Sequence, residues 1–295
     1  MLNTIRNPQN KVDFFFKNNI IPCRYFILYI RRKKKIYLHV FHIIQKFLSL
    51  NEYLLFTCTI PLACITAALG LFHQMNLPIP PSNCQISILI WSGSTSVGQY
   101  AIQLAKASGC FVITTASIHQ HEYLKILGAD ICFDYKDPNV VEKINQITKH
   151  NLTYAFDCIS LKESVRKICS ILTNQNSQLV TILPIPSDEI PSHIKEHFIL
   201  MYSIYGYEIH AFRKVFQAKP QDKEFAENFY RLLSNILLPQ SLIKPNRVHK
   251  ISGGLNAVEQ GFTRMMENKI SAEKIVYSIV ETTKPNTNLK INSNL

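Results

Sequence analysis

Between Gln85 and Ser117 the hydrophobic pattern changes period twice. Ile86 to Trp91 (ISILIW) is apolar almost throughout, as expected of a parallel strand buried on both faces. A glycine-bearing turn, WSGSTSVG, follows it. From Val97 the spacing becomes helical, with Val97, Ala101, Leu104 and Ala105 on one face and Gln99, Gln103 and Lys106 elsewhere, until Gly109 supplies a left-handed stop. Phe111 to Thr115 reads as a second strand, completing a βαβ unit. The alternation continues through helix 120–127, strand Ile131–Asp134, helix 139–148, strand Thr153–Asp157, helix 162–172 and strand Gln178–Leu183. Repeated βα units predict an α/β fold with a doubly wound parallel sheet. Phe198 to Tyr205 is the expected sixth strand, followed by helices 222–236 and 255–268 and a closing strand near Lys274 to Val280. Upstream, Pro61 to Asn76 starts with proline at a first helical position and places Leu62, Ile65, Leu69 and Phe72 on one face.

The turn after the first strand carries candidate chemistry. Small residues there let backbone N–H groups and a helix N-terminus approach a pyrophosphate. Gly93 and Gly98 stand in G-x-x-x-x-G spacing, and read as G-x-G-x-x-G the turn has Thr95 at the second glycine. Gln99 and Tyr100 occupy the places where a Walker loop needs Lys and Ser or Thr. The expected site is therefore a dinucleotide cradle, Gly93 to Gly98, with a merely structural tight turn as the alternative. An NAD site usually carries an acid about 20 residues beyond the first glycine. Here Thr114, Thr115, Ala116 and Ser117 fill that region, with His119, His121 and Lys125 nearby. Hydroxyls and basic groups suit a 2'-phosphate, so NADPH is the expected cofactor; Ser117 also stands where it can cap the next helix.

Four stretches, GSTSVGQYAIQLAKASGCFVITTAS, LGADICFDYKDPNVVEKI, YAFDCIS and SGGLNAVEQGFTRMMENKISAEKIVYSIV, resemble the fungal zinc-independent medium-chain dehydrogenase/reductases. The likeness is greatest to the trans-acting enoyl reductases of polyketide pathways and their quinone-reductase-like relatives, and runs from about Ile60 to Val280. The resemblance implies a Rossmann-like domain and NADPH-dependent reduction of an α,β-unsaturated carbonyl, enoyl thioester or quinone-like. A small-molecule or carrier-bound acyl group would be the substrate, and a polyketide synthase a partner. It further implies pyrophosphate contacts from Ser94, Thr95, Ser96 and Val97, contacts on the 2'-phosphate side from Ser117, His119 and Gln120, and an adenosine contact from Tyr135. Ile182 and Leu183 would lie near the nicotinamide, while Ser203, Ile270 and Ser271 match later cofactor-contacting stretches. Tyr135, Ile182 and Leu183 would look the same as ordinary packing residues. No catalytic residue or proton donor is assigned; Tyr202, Tyr205 and Tyr207 qualify by location alone.

Composition divides the chain. Of the net charge of +12, the first 50 residues hold ten basic side chains against Asp13 alone. Residues 1–55 contain no glycine and do not resemble the GroES-like barrel that precedes the nucleotide domain in that family, so an atypical basic N-terminal segment is expected there. Within it, Ile36 to Leu50 reads as an amphipathic helix behind the basic run Arg31 to Lys35. The expected domains are thus 1–55, a nucleotide domain at 56–282, and a disordered polar tail at 283–295. Two further readings follow: a non-catalytic nucleotide-binding protein without the barrel, or a membrane-surface or partner-binding protein acting through residues 20–50. Ile36 to Phe56 is too interrupted by polar residues to span a membrane. Nucleic-acid binding is not expected. The eight cysteines form no C-x-x-C and no clustered ligand spacing, so no metal is expected and a reducing, cytoplasmic setting is.

Overall fold

The structure, a computed structural model, describes residues 58–278 and 281–282. The expected basic segment, its helix Ile36 to Leu50 and the polar tail 283–295 lie outside the described residues. The described residues form two compact units, one running from Cys58 to Arg247 and including Ser271–Lys274, the other made of Val248–Ile270, Ile275–Ser278 and Glu281–Thr282.

The larger unit is built on six parallel strands in the order β3-β2-β1-β4-β5-β6. They are β1 (Ser87–Trp91), β2 (Phe111–Ala116), β3 (Ile131–Asp134), β4 (Tyr154–Asp157), β5 (Ser177–Thr181) and β6 (Ile194–Phe198). Between them run α2 (Ser96–Ala107), α3 (His121–Ile126), α4 (Val140–Thr148) and α5 (Lys162–Ile171), preceded by α1 (Ile60–Ala68). This is the doubly wound, Rossmann-like order, whose direction reverses between β1 and β4.

The apolar run of β1 is buried on both faces because alternate residues serve two cores. Ile88 and Ile90 join Tyr100, Leu104, Val112, Phe156 and Val180 on one side, where α1 and α2 lie. Leu89 and Trp91 join Ile113, Val140, Ile144, Val165 and Ile168 on the other, under α4 and α5. At the end of α1 the backbone widens into a π turn, Leu69–Gln74. A Cβ at Gly70 in that turn would lie 2.7 Å from the Phe156 ring, so glycine lets the segment lie against the sheet.

The expected sixth strand is corrected. The strand is Ile194–Phe198 (IKEHF), and Met201–Tyr205, within the expected span, is a 3₁₀ helix. β6 closes one edge of the sheet, so its polar side chains are tolerated: Glu196 accepts from Thr181 Oγ1 at 2.7 Å, and His197 and Gln178 lie 3.2 Å apart. The apolar residues that suggested a strand, Met201 and Ile204, instead fill the core beside α6 (Pro220–Leu232). The short hairpin of β7 (Ile209–Ala211) and β8 (Lys214–Phe216) had no expectation attached to it.

The smaller unit holds Val248–Ile251 of β9 (Arg247–Ile251) and Ile275–Tyr277 of β10 (Glu273–Tyr277), two strands that pair, and its α7 (Val258–Met266) packs Met265 and Phe262 with Ile251 and Ile275. No helix among the described residues is long and apolar enough to cross a membrane.

Candidate functional site

The turn from β1 to α2 is locked by short-range bonds. Ser92, in the left-handed region at φ 62, donates its N–H to Thr115 Oγ1 at 3.0 Å, and Gly93 N–H donates to Thr115 O at 2.9 Å. Thr95 caps α2: its hydroxyl accepts from Gly98 N–H at 3.1 Å and donates to Ser92 O at 2.9 Å. Ser96 and Val97 open the helix, where N–H groups have no carbonyl one turn back. The result is a set of outward donors at the positive end of a helix dipole, suited to an anion.

Both glycines are required by close approach. A Cβ on Gly93 would meet Thr114 Oγ1 at 2.1 Å, and Thr114 is itself held by donating to Ile90 O at 2.7 Å. A Cβ on Gly98 would meet Ser92 O at 2.6 Å and Gly93 Cα at 2.7 Å, so the second glycine lets the helix rest on the turn.

Gln99 and Gln103, expected away from the apolar face of α2, are both buried. The amide of Gln99 donates to Ser94 O (3.0 Å) and Ala272 O (3.3 Å), and its carbonyl accepts from Tyr123 Oη at 3.0 Å. The Arg247 guanidinium sits 3.4 Å from the centre of the Tyr123 ring. Gln103 donates to Lys244 O at 3.2 Å and accepts from Lys244 N at 2.7 Å. Burial is tolerated because distant backbone satisfies both amides.

At the end of β2 the outcome is mixed. Thr115 is fully buried and its hydroxyl is occupied by Ser92, which corrects the expectation that it faces a 2'-phosphate. His121 bonds Ala116 O at 3.1 Å, and Lys125 pairs with Glu122 at 2.9 Å. Ser117 is half-buried in extended backbone and makes no side-chain cap, so the capping role is not realised. His119, Gln120 and Ser271 come together: Ser271 Oγ lies 3.2 Å from His119 Nε2 and accepts from Gln120 Nε2 at 3.1 Å. Gln120 Oε1 is buried without a hydrogen-bond partner.

Tyr135 is exposed just past β3, with its carbonyl accepting from Lys167 at 3.3 Å. Ile182 and Leu183 follow β5; Ile182 donates its N–H to Ser160 Oγ at 2.8 Å and packs against the core. Ser203 is buried, with its hydroxyl bonded to Asp222, whose other oxygen lies 3.0 Å from His73 Nε2. Ile270 belongs to the smaller unit and packs on its apolar cluster. Tyr202, Tyr205 and Tyr207 form a stacked row with ring centroids 6.4 and 5.6 Å apart.

One residue escaped the sequence reading. Asp157, fully buried at the carboxyl end of β4, accepts from Ile159 N (3.0 Å), Ser160 N (2.9 Å) and Ser164 Oγ (2.5 Å). It pairs in register with Trp91, beside the reversal point of the sheet. The signal was present as Asp followed by Ser at three and seven residues, in DCISLKES.

Comparison with known proteins places the chain. A family signature described as zinc-binding dehydrogenase matches residues 96–217. A zinc-type alcohol dehydrogenase-like protein of Schizosaccharomyces pombe is 35% identical over 229 residues, covering 75% of this chain and 65% of that protein. A trans-enoyl reductase of Alternaria alternata is 34% identical, covering 75% of this chain and 64% of its own length. The chain therefore spans slightly under two thirds of these relatives. In fold it is similar to CurA in complex with NADPH from Vibrio vulnificus, at TM-score 0.52 and 21% identity over 75% of this chain and 62% of that one. As for zinc, no three His, Cys, Asp or Glu side chains come together among the described residues as a metal site would require.

Proposed function

The chain belongs to the medium-chain dehydrogenase/reductases, and from that premise we propose that it binds NADPH and reduces an α,β-unsaturated carbonyl, an enoyl thioester or a quinone-like compound. The observation that carries the proposal is the β1–α2 turn, whose two glycines bring backbone donors and a capped helix N-terminus to one place at the carboxyl edge of the sheet. The residues present fit the cofactor. Ser94, Ser96 and Val97 offer N–H groups to a pyrophosphate. Ser117 keeps a hydroxyl that caps nothing, and His119 stands exposed beside it, where an NAD-selective site would hold an acid. The unpartnered Gln120 Oε1 accepts a hydrogen bond from the ligand, completing that amide.

When bound, NADPH supplies the hydride, and the protein's task is orientation. The β1–α2 turn fixes the phosphates. Asp157 holds the loop after β4, and through Ser160 the start of the segment Ile182–Leu183, which would line the nicotinamide side. Relatives that are trans-enoyl reductases support an enoyl group as the substrate, and a carrier-bound acyl chain, a polyketide synthase partner and a cytoplasmic setting belong to the same proposal.

Fluorescence titration of the chain with NADPH and NADH tests the reading. Saturable binding that prefers NADPH, weakened about tenfold or more by Ser117→Asp through charge repulsion, is the expected result. Absence of binding by a folded sample would refute it.

A further inference from the structure

We propose that Cys84 and Cys110 form a redox-responsive pair, closed to a disulfide by a peroxide, that staples the chain entering β1 to the foot of β2. Their sulfurs lie 3.1 Å apart, both as free thiols. A disulfide needs about 2.05 Å, so closure asks for roughly 1 Å of movement.

The backbone around the pair is already fixed on both sides. Ser82 N–H donates to Ala107 O (3.2 Å), Cys84 N–H to Ser108 O (3.0 Å), and Gln85 N–H to Gly109 O (3.2 Å). Phe111 N–H returns a bond to Ile86 O at 2.8 Å, and Cys110 N–H is held by Ala105 O at 3.0 Å. Gly109 makes the approach feasible. It lies at φ 83, and a Cβ there would meet Asn83 Cα at 2.5 Å and Cys84 N at 2.8 Å. Closing the bridge therefore takes side-chain rotation without rebuilding either strand.

Accessibility orders the chemistry. Cys84 is half-buried and Cys110 buried, and burial together with the neighbouring Cys84 pushes the Cys110 thiol up. The more accessible Cys84 thiol is thus the group that meets the oxidant. Its sulfur attacks one oxygen of hydrogen peroxide, the O–O bond breaks, and the departing hydroxide takes the proton of the Cys84 thiol and leaves as water, so Cys84 becomes a sulfenic acid. The Cys110 sulfur then attacks the Cys84 sulfur; the S–O bond breaks, and the departing hydroxide takes the Cys110 proton as a second water. Two thiols lose two electrons, and one peroxide becomes two waters. The bridge would enclose β1, its turn and α2, at the end of the strands opposite the ligand side, so its effect is on stability.

The test is peptide mapping of the full chain after exposure to hydrogen peroxide and, in a second arm, oxidised glutathione, with remaining thiols blocked by iodoacetamide. The expected result is a linked pair of peptides containing Cys84 and Cys110, lighter by two hydrogens. It is accompanied by a thermal midpoint several degrees higher that dithiothreitol reverses. Both changes vanish in Cys84→Ser and Cys110→Ser; should Cys110→Ser fail to fold, the more exposed Cys84→Ser, its fold checked by circular dichroism, carries the comparison. A link that forms only in urea, or a Cys84 that stops at the sulfenic acid or the glutathione adduct, would overturn the proposal. Cofactor binding plays no part in this readout, so the outcome stands whether or not NADPH binds.

Discussion

Replacing Lys274 with methionine should stabilise the protein at neutral pH, and by an amount that pH removes. Lys274 is 6% exposed, and burial holds its ammonium down from the ordinary 10.5 to about 8, against a smaller upward pull from Cys58. The sign follows from proton uptake. Between pH 8 and 10.5 the unfolded chain binds the proton more than the folded one does, so the contribution of this lysine to stability rises with pH through that window. It is complete above 10.5 and lost as pH falls to about 8. Below pH 8 the folded protein carries the whole cost of burying the charge, about 3 kcal/mol for a drop of this size. Methionine matches the aliphatic stem and removes the ammonium. Urea unfolding at pH 7, 8, 9 and 10 would measure the difference between variant and parent at each pH. That difference cancels the contributions of Cys64 and Tyr100, whose values burial pushes upward and which destabilise the fold above their unfolded values. An advantage of about 3 kcal/mol at pH 7 that shrinks toward zero by pH 10 is expected. A variant no more stable than the parent at pH 7, or an advantage that pH leaves unchanged, would refute the reasoning.

Other substitutions separate the parts of the site. Gly98→Ala should cost about 1–3 kcal/mol in thermal unfolding and at least tenfold in NADPH affinity, because its nearest obstacles, Ser92 O and Gly93 Cα, are backbone and yield only if the turn moves. Thr95→Ala removes the cap of α2 and should cost about 1 kcal/mol, read by urea unfolding, with a weaker loss of NADPH affinity than Gly98→Ala. Asp157→Ala leaves the buried N–H of Ser160 without its acceptor and leaves the Ser164 hydroxyl only Leu161 O to donate to. A loss of about 3 kcal/mol or more is expected, with faster amide exchange at Ile159 and Ser160, and an unchanged exchange rate there would count against the role given to Asp157.

What could be read from the chain follows the range of the interactions involved. The β1–α2 turn was legible because its bonds are local or join neighbouring strands: Thr95 meets Gly98 three residues on, and Ser92 meets Thr115 on the adjacent β2. The six-strand order was legible in kind, since repeated βα units leave few alternatives. The sixth strand was misplaced because IKEHF is an edge strand whose charges are matched across one ladder only, while the more apolar stretch beside it contributes to the core from a 3₁₀ helix. The burial of Gln99 and Gln103 could not be seen at all, for their acceptors at Ala272 and Lys244 lie 173 and 141 residues away.

The same distinction bears on how selectivity is built. On the proposed reading, phosphate recognition would rely on backbone donors that any sequence with the right glycines supplies, and these do not distinguish one nicotinamide cofactor from the other. Preference must come from side chains at the end of β2, and those are positioned by long-range contacts. Ser271 holds His119 and Gln120 from about 150 residues downstream, and Gln99, which supports the turn through Ser94, is tied to Ala272 beside it. The segment Ser271–Ala272 therefore braces both halves of the candidate site, the backbone cradle and the side chains beyond β2. A change there should alter affinity for NADPH and NADH alike, whereas Ser117→Asp should weaken NADPH binding and leave NADH affinity unchanged.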